Sequence, residues 1–165
     1  MIPKPKSNYK KKQRKQKRKN KRRIALEQTK KLIDSRRFIL EANQLSGKTG
    51  FMFDVNPSLN FVSIDSSHCV IQLGSNSGLG YNGVGGITTE GKISKMTVLE
   101  NKKGDSFTIN LYTSTPIGSF DIVFFIDAEG TAQADVSQST TGGSATYYGN
   151  IIPLDQARVF KGRSL

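Results

Sequence analysis

The sequence is poor in the residues from which small folds are stapled and many active sites are built: it holds one cysteine and one histidine. A single thiol closes no intrachain disulfide, so stability must come from a buried core. One Cys and one His also fall short of a structural zinc set within one chain. No apolar run approaches the roughly 18–20 residues needed to cross a membrane. The lysine-rich start is not followed by the apolar segment of a signal peptide. On these absences the chain is cytoplasmic if Met1 is its true start, or has lost an export signal.

Acidic residues are also scarce, and unevenly so. The whole chain carries 25 Lys/Arg against 13 Asp/Glu, a formal charge of +12. Residues 1–37 hold 17 of the basic residues and only Glu27 and Asp34, a net +15. Residues 38–165 hold the other eight against 11 acids, a net −3. The basicity belongs to the N-terminal arm, and the remainder is mildly acidic.

Between Lys4 and Arg23 there are 13 Lys/Arg, no acid, and only Tyr9 to offer apolar area. Such a segment repels itself and has little to bury, so residues 1–21 are expected to be a disordered polybasic arm. Ala25, Leu26, Thr29, Leu32 and Ile33 then fall on one side of a helical wheel. They predict an amphipathic helix over 22–35, docked on the domain by that stripe and closed by Arg36 and Arg37.

From Phe38 the period becomes two. Phe38, Leu40 and Ala42 share one parity, as do Phe107, Ile109 and Leu111, and again Phe120, Ile122, Phe124 and Ile126. Further strands are expected over about 60–65, 68–73, 92–100, 132–136 and 144–152, with turns at Asp65–Ser67, Asn101–Asp105 and Asp127–Gly130. The reading is an all-β, mainly antiparallel domain over 36–152: a small barrel or sandwich of about eight strands. Residues 153–165 read as a tail. Between Gly74 and Gly91 lie seven glycines, which predicts a long loop or an irregular, bulged strand.

The candidate motifs are weak. Gly78-Leu79-Gly80-Tyr81-Asn82-Gly83 matches G-x-G-x-x-G, but Val84-Gly85-Gly86-Ile87 cannot open the helix whose N-terminus would hold a pyrophosphate. His68 and Cys69 are strand neighbours and point to opposite faces, so this His cannot activate this Cys. Cys69 reads as a buried small hydrophobe and His68 as an exposed strand-end residue. Asp54-Val55-Asn56 begins like a calcium loop, which Pro57 and the missing later ligands break. Asp127 and Glu129 are turn residues. No catalytic constellation, metal site or cofactor is expected, and the domain reads as non-enzymatic.

Two partner sites remain. The glycine-rich loop around Leu79, Tyr81 and Asn82 is the candidate contact for a protein or small-molecule ligand. In the arm, Lys10, Lys11, Lys12, Arg14, Lys15, Lys17, Arg18, Lys19, Lys21, Arg22 and Arg23 offer a phosphate-binding surface. Without interleaved aromatics it would hold nucleic acid blind to sequence. Anionic lipid headgroups attract it as well, and a solvated spacer is the plain alternative.

Several short runs carry a family resemblance: Lys31-Leu32-Ile33-Asp34-Ser35, Phe38-Ile39-Leu40-Glu41-Ala42, the stretch from Asn56 to Phe61, Gly85-Gly86-Ile87 with Glu90-Gly91, Gly130-Thr131-Ala132, and Tyr147-Tyr148-Gly149-Asn150-Ile151. In this order and spacing the chain resembles, from about Lys30 to Ile152, a Bacteroidota family of small envelope proteins of unknown function, domain-of-unknown-function family 4251. The resemblance implies an all-β domain behind an N-terminal helix, normally exported to the periplasm or outer membrane and often lipid-anchored. It implies no activity. Two features depart from the family: aromatics often found at the positions of Gln72–Gly78 are missing, and the polybasic arm stands where a signal or lipobox is usual.

Overall fold

A computed structural model of the protein describes residues 6–74 and 85–165. Its first element, helix α1, runs Lys6–Ser35 and is longer than the 22–35 expected. The arm from Lys6 onward is therefore helical rather than disordered. Lys, Arg and Gln lose little rotamer freedom in a helix. Nucleation is the costly step, and the docked C-terminal turns supply it, leaving only propagation to extend the helix back along the arm. Thirty residues span about 45 Å. The turn that leaves the helix is taken by Arg36, whose φ of 52° is the left-handed conformation that usually selects glycine.

Among the described residues nine strands come after it: β1 (Arg37–Ser46), β2 (Met52–Asp54), β3 (Phe61–Asp65), β4 (His68–Leu73), β5 (Ile87–Glu100), β6 (Ser106–Thr115), β7 (Gly118–Asp127), β8 (Thr131–Gln138) and β9 (Ser144–Pro153). Every pairing is antiparallel, and β1 pairs with β9 as well as with β3. That last ladder closes the sheet into an eight-stranded barrel, which resolves the choice between barrel and sandwich. The short β2 adds to the end of β1 on the β3 side and has no counterpart among the expected strands. β5 begins at Ile87, so the glycine-rich stretch gives way to regular strand before Gly91.

The expected parities set the interior. Phe38, Leu40, Val62, Ile64, Cys69, Ile109, Ile122, Phe124, Ala134 and Tyr147 are all buried in one core. Phe38 and Phe124 meet edge to face, ring centres 5.9 Å apart. Closure demands tight bends, and two glycines sit at them. β1 carries a bulge between Ala42 and Gln44 against β9. Opposite it, a side chain on Gly149 would lie 1.9 Å from the Glu41 carbonyl oxygen. β5 is bulged between Ile93 and Lys95, and a side chain on Gly91 would lie 1.9 Å from the Ser114 oxygen. Strand glycines of this kind permit close approach of backbones.

Helix α1 covers one end of the barrel with the expected stripe. Ile33 joins the core, with Leu26 and Leu32 packed against it. Thr29 is buried, and its hydroxyl donates to the Ala128 carbonyl at 3.1 Å in the β7–β8 turn. Arg22 pairs with Asp105 and Lys30 with Glu100, both at 2.9 Å, tying the helix to the β5–β6 hairpin. The bonded Glu100 carboxylate holds the Lys30 ammonium above its ordinary pKa. Both pairs are exposed, so solvent screens them and each adds little. Among the described residues no helix is long and apolar enough to cross a membrane.

The C-terminal residues are not a free tail. After a short 3-10 turn at Leu154–Gln156, they cross the outer wall from β1 to β5. The Arg158 N–H donates to Glu41 Oε1, the Phe160 N–H to the Ser58 carbonyl and the Leu165 N–H to the Thr88 carbonyl. Gln72 is the clasp. It faces outward but is fully buried. Its amide nitrogen donates to the carbonyls of Leu59 (3.1 Å) and Phe160 (2.8 Å). Its oxygen accepts from the Thr88 hydroxyl and the Gly162 N–H, each at 2.8 Å. Lys161 pairs with Glu90 beside it, and that ammonium holds the Glu90 carboxyl below its usual pKa.

Candidate functional site: the open mouth of the barrel

Among the described residues, nothing closes the end of the barrel away from α1. β7 fixes the direction: the residues leading out of it reach Ala128 under the helix, while Ile117 and Phe120 at its start line a cavity at the other end. This cavity has a volume of about 270 Å³. Its wall is made of inward-facing residues from five strands, among them Ile71 and Leu73, Ile87, Phe120, Val136 and Ala145. An eight-stranded barrel is at the size where the interior is either filled by side chains or holds one small ligand. Here the described residues fill the helix end and leave the mouth end unfilled.

Among the described residues, the polar side chains buried in this cavity are few and nearly all committed, and Ser144 at the rim is exposed. The Tyr147 hydroxyl donates to the Gln72 carbonyl at 3.2 Å, and burial pushes its pKa up. The Gln138 amide nitrogen donates to the Ile117 carbonyl at 2.7 Å, and its oxygen accepts from the Thr141 hydroxyl. Thr89 is the exception. It is 1% exposed, and its hydroxyl has no hydrogen-bond partner among the described residues. Its neighbour Thr88 points outward to the Gln72 clasp, so adjacent threonines serve opposite faces of one strand. Among the described residues, no acid, lysine, arginine or histidine lines the cavity.

At the same end, β2 pairs with Gln44–Ser46, the last residues of β1. It leaves Phe51, Met52 and Phe53 exposed, Phe51 by 75%. The gap between the β2–β3 connection and β4 is bridged by buried Asn60. Its amide nitrogen donates to the Gly74 carbonyl, and its oxygen accepts the Gly74 N–H, at 3.1 and 3.0 Å. A wider depression of about 530 Å³ lies on the outer wall between Gln44, Thr108, Phe125, Gln133 and Tyr148. It is open to solvent over its breadth, so a ligand there would bury less of itself than in the mouth.

The expected site residues fare unequally. Leu79, Tyr81 and Asn82, with the rest of the G-x-G-x-x-G run, lie outside the described residues. The next element along the chain is strand β5 and not a helix, so no helix N-terminus is available there to a pyrophosphate. Lys10, Lys11, Lys12, Arg14, Lys15, Lys17, Arg18, Lys19, Lys21, Arg22 and Arg23 are all exposed along α1. Arg22 is engaged by Asp105 and Arg23 by Glu27. Their 100° spacing spreads the charge around the whole rod rather than along one face.

His68 is exposed at the start of β4, and Cys69 is buried on the opposite face, its thiol pushed up to about 12 by burial. Such a thiol is a poor nucleophile. Asp54 accepts from Gln44 and Asn56 caps its own turn at Ser58, so both are used locally. Asp127 accepts the N–H groups of Glu129 and Thr131 within the β7–β8 turn. Among the described residues no three or more His, Cys, Asp or Glu are grouped to hold a metal ion.

The mouth itself is not visible as a site in the sequence. Its residues are ordinary inward positions of strands, and which end of the interior stays unfilled depends on how the strands stagger. The one signal for it is Thr89, a polar residue at the parity of Ile87 and Gly91.

Comparison with known proteins agrees with this architecture. No curated protein matches the chain. A crystal structure of a DUF4251 family protein from Bacteroides eggerthii DSM 20697 is similar, with a TM-score of 0.69 and 25% identity over 86% of this chain and 96% of that one. Residues 20–151 match the family model described as a domain of unknown function, DUF4251. With the match running from mid-helix to the closing strand, the chain belongs to the DUF4251 family.

Proposed function

We propose that this protein is a binding barrel rather than an enzyme, and that the open mouth takes an apolar small molecule. The observation that carries the reading is the unfilled, apolar cavity at one end of an otherwise packed interior. Water gains little in such a cavity, whereas an alkyl or aryl group recovers about 25 cal/mol for each Å² removed from water. The exposed Phe51, Met52 and Phe53 at that end offer apolar area over which a ligand could pass.

An uncharged fluorophore, N-phenylnaphthylamine, tests this. It should bind with enhanced emission at a stoichiometry of one. Ala145→Trp, which fills the mouth, should abolish binding without lowering the stability by more than about 1 kcal/mol. Binding retained by a folded Ala145→Trp variant would place the ligand elsewhere.

The exposed cationic helix favours a second reading, a nucleic-acid-associated protein held by its arm. Cations on every side of a rod suit a phosphate polymer without sequence preference. Retention on DNA should then fall steeply with salt, about tenfold or more between 50 and 200 mM, and vanish when residues 1–21 are removed. Salt-independent retention would exclude it.

A further inference from the structure

Among the described residues, Thr89 carries the one buried side-chain polar group of the mouth without a partner, and it defines what kind of ligand the mouth is built for. Resting on the reading of the mouth as a binding site, we infer that its ligand is an uncharged amphiphile carrying one hydroxyl or carbonyl. That oxygen lies at the Thr89 hydroxyl, with the apolar body toward the rim.

Three observations carry this. Thr89 lines the cavity one inward position below Ile87, its β-ladder partner being Ile71, while Ile87 pairs with Leu73 at the rim. The polar end of a ligand would therefore go in first. The Thr89 hydroxyl is buried and without a partner among the described residues, while Gln138 and Tyr147 are already bonded to the protein. A buried hydroxyl left alone is costly, and a ligand oxygen that accepts its proton removes that cost on binding. Finally, the described lining holds no cation or acid. A carboxylate or ammonium would enter without a counter-charge, a far larger penalty than one hydrogen bond repays.

Alcohols and ketones satisfy all three conditions; fatty acids and amines fail the third. The rest of the wall, from Leu73 and Ile87 to Phe120 and Ala145, selects for hydrocarbon without dictating its shape.

The test is displacement of N-phenylnaphthylamine from the full chain by three compounds of equal length: n-octanol, n-octane and octanoate. Octanol should displace the probe about tenfold more tightly than octane, the factor expected of one hydrogen bond. Octanoate at neutral pH should be weaker than octanol by at least that factor. Thr89→Val keeps the shape of the side chain and removes the hydroxyl, so it should bring octanol down to the level of octane and leave octane unchanged. Thr89→Ser should restore the difference. Equal binding of octane and octanol, octanoate binding as well as octanol, or an indifferent Thr89→Val would overturn this inference while leaving the binding mouth in place. If the probe and all three compounds fail to bind, the mouth is not a site and both readings fall.

Discussion

Gly149→Ala should prevent the barrel from closing. The added methyl would stand 1.9 Å from the Glu41 oxygen, 2.8 Å from its carbonyl carbon and 3.0 Å from the Ala42 Cα. All three are backbone atoms, so no rotamer change relieves the clash. The only accommodation is to move β9 away from β1, and that ladder is the one that converts an open sheet into a barrel. β1 is bulged between Ala42 and Gln44 at this same point, so the ladder there is already irregular. A loss on the order of 4 kcal/mol or more is expected, at the severe end for one substitution and a large part of a typical domain's stability of about 5–15 kcal/mol.

Urea unfolding is the appropriate measurement, with Gly47→Ala as the control. Gly47 has nothing within 4 Å of its added methyl and should change little. A wild-type midpoint for Gly149→Ala would mean that the β1–β9 seam is not as described.

The second large effect is expected at Gln72. Its side-chain amide satisfies four groups at once: the carbonyls of Leu59 and Phe160, the Thr88 hydroxyl and the Gly162 N–H. Gln72→Leu preserves bulk but leaves all four without this partner. If they stayed buried, each would cost about 1–3 kcal/mol. The strap from Ala157 to Leu165 has no fully buried residue, so its docking energy cannot hold it against such penalties at the Leu59 and Phe160 carbonyls and the Gly162 N–H. It should peel away and expose the outer-wall residues Ile39, Phe61 and Ser63, which are buried now.

The expected result is a loss of about 3 kcal/mol with an intact barrel, and fast amide exchange at Phe160, Gly162 and Leu165. Protected amides there in Gln72→Leu would show that the clasp is not what holds the strap.

Periodicity makes most of the barrel legible because inward and outward positions of a strand differ so sharply in burial. Phe120, Ile122, Phe124 and Ile126 declare their face, as do Phe107, Ile109 and Leu111. Closure is not legible. Nothing in Phe38–Ala42 or Tyr147–Ile151 states that the first and last strands pair; Gly149 marks the seam, but a strand glycine has several readings. The strap escapes a sequence reading for a related reason. Gln72 alternates with Ile71 and Leu73 as a solvent-facing residue should, and only a segment 90 residues away makes it buried.

The helix is legible at its docked end through Thr29 and Ile33. The sequence reading cuts it short at its free end, because it weighs charge repulsion above the good helix propensity of Lys, Arg and Gln. The glycine-rich stretch stands out in the sequence as a ligand contact for its irregularity, whereas the unfilled space among the described residues lies inside regular strands.

The central claim is that one end of this barrel is a binding mouth, and methyl NMR during titration with n-octanol tests it most directly. The account predicts saturable shifts at Ile71, Leu73, Ile87, Ile117 and Val136, with Ile33, Ile64 and Ile126 at the helix end unmoved. Shifts confined to Leu99 or Val123 on the outer surface, or no saturable shift at all, would contradict it.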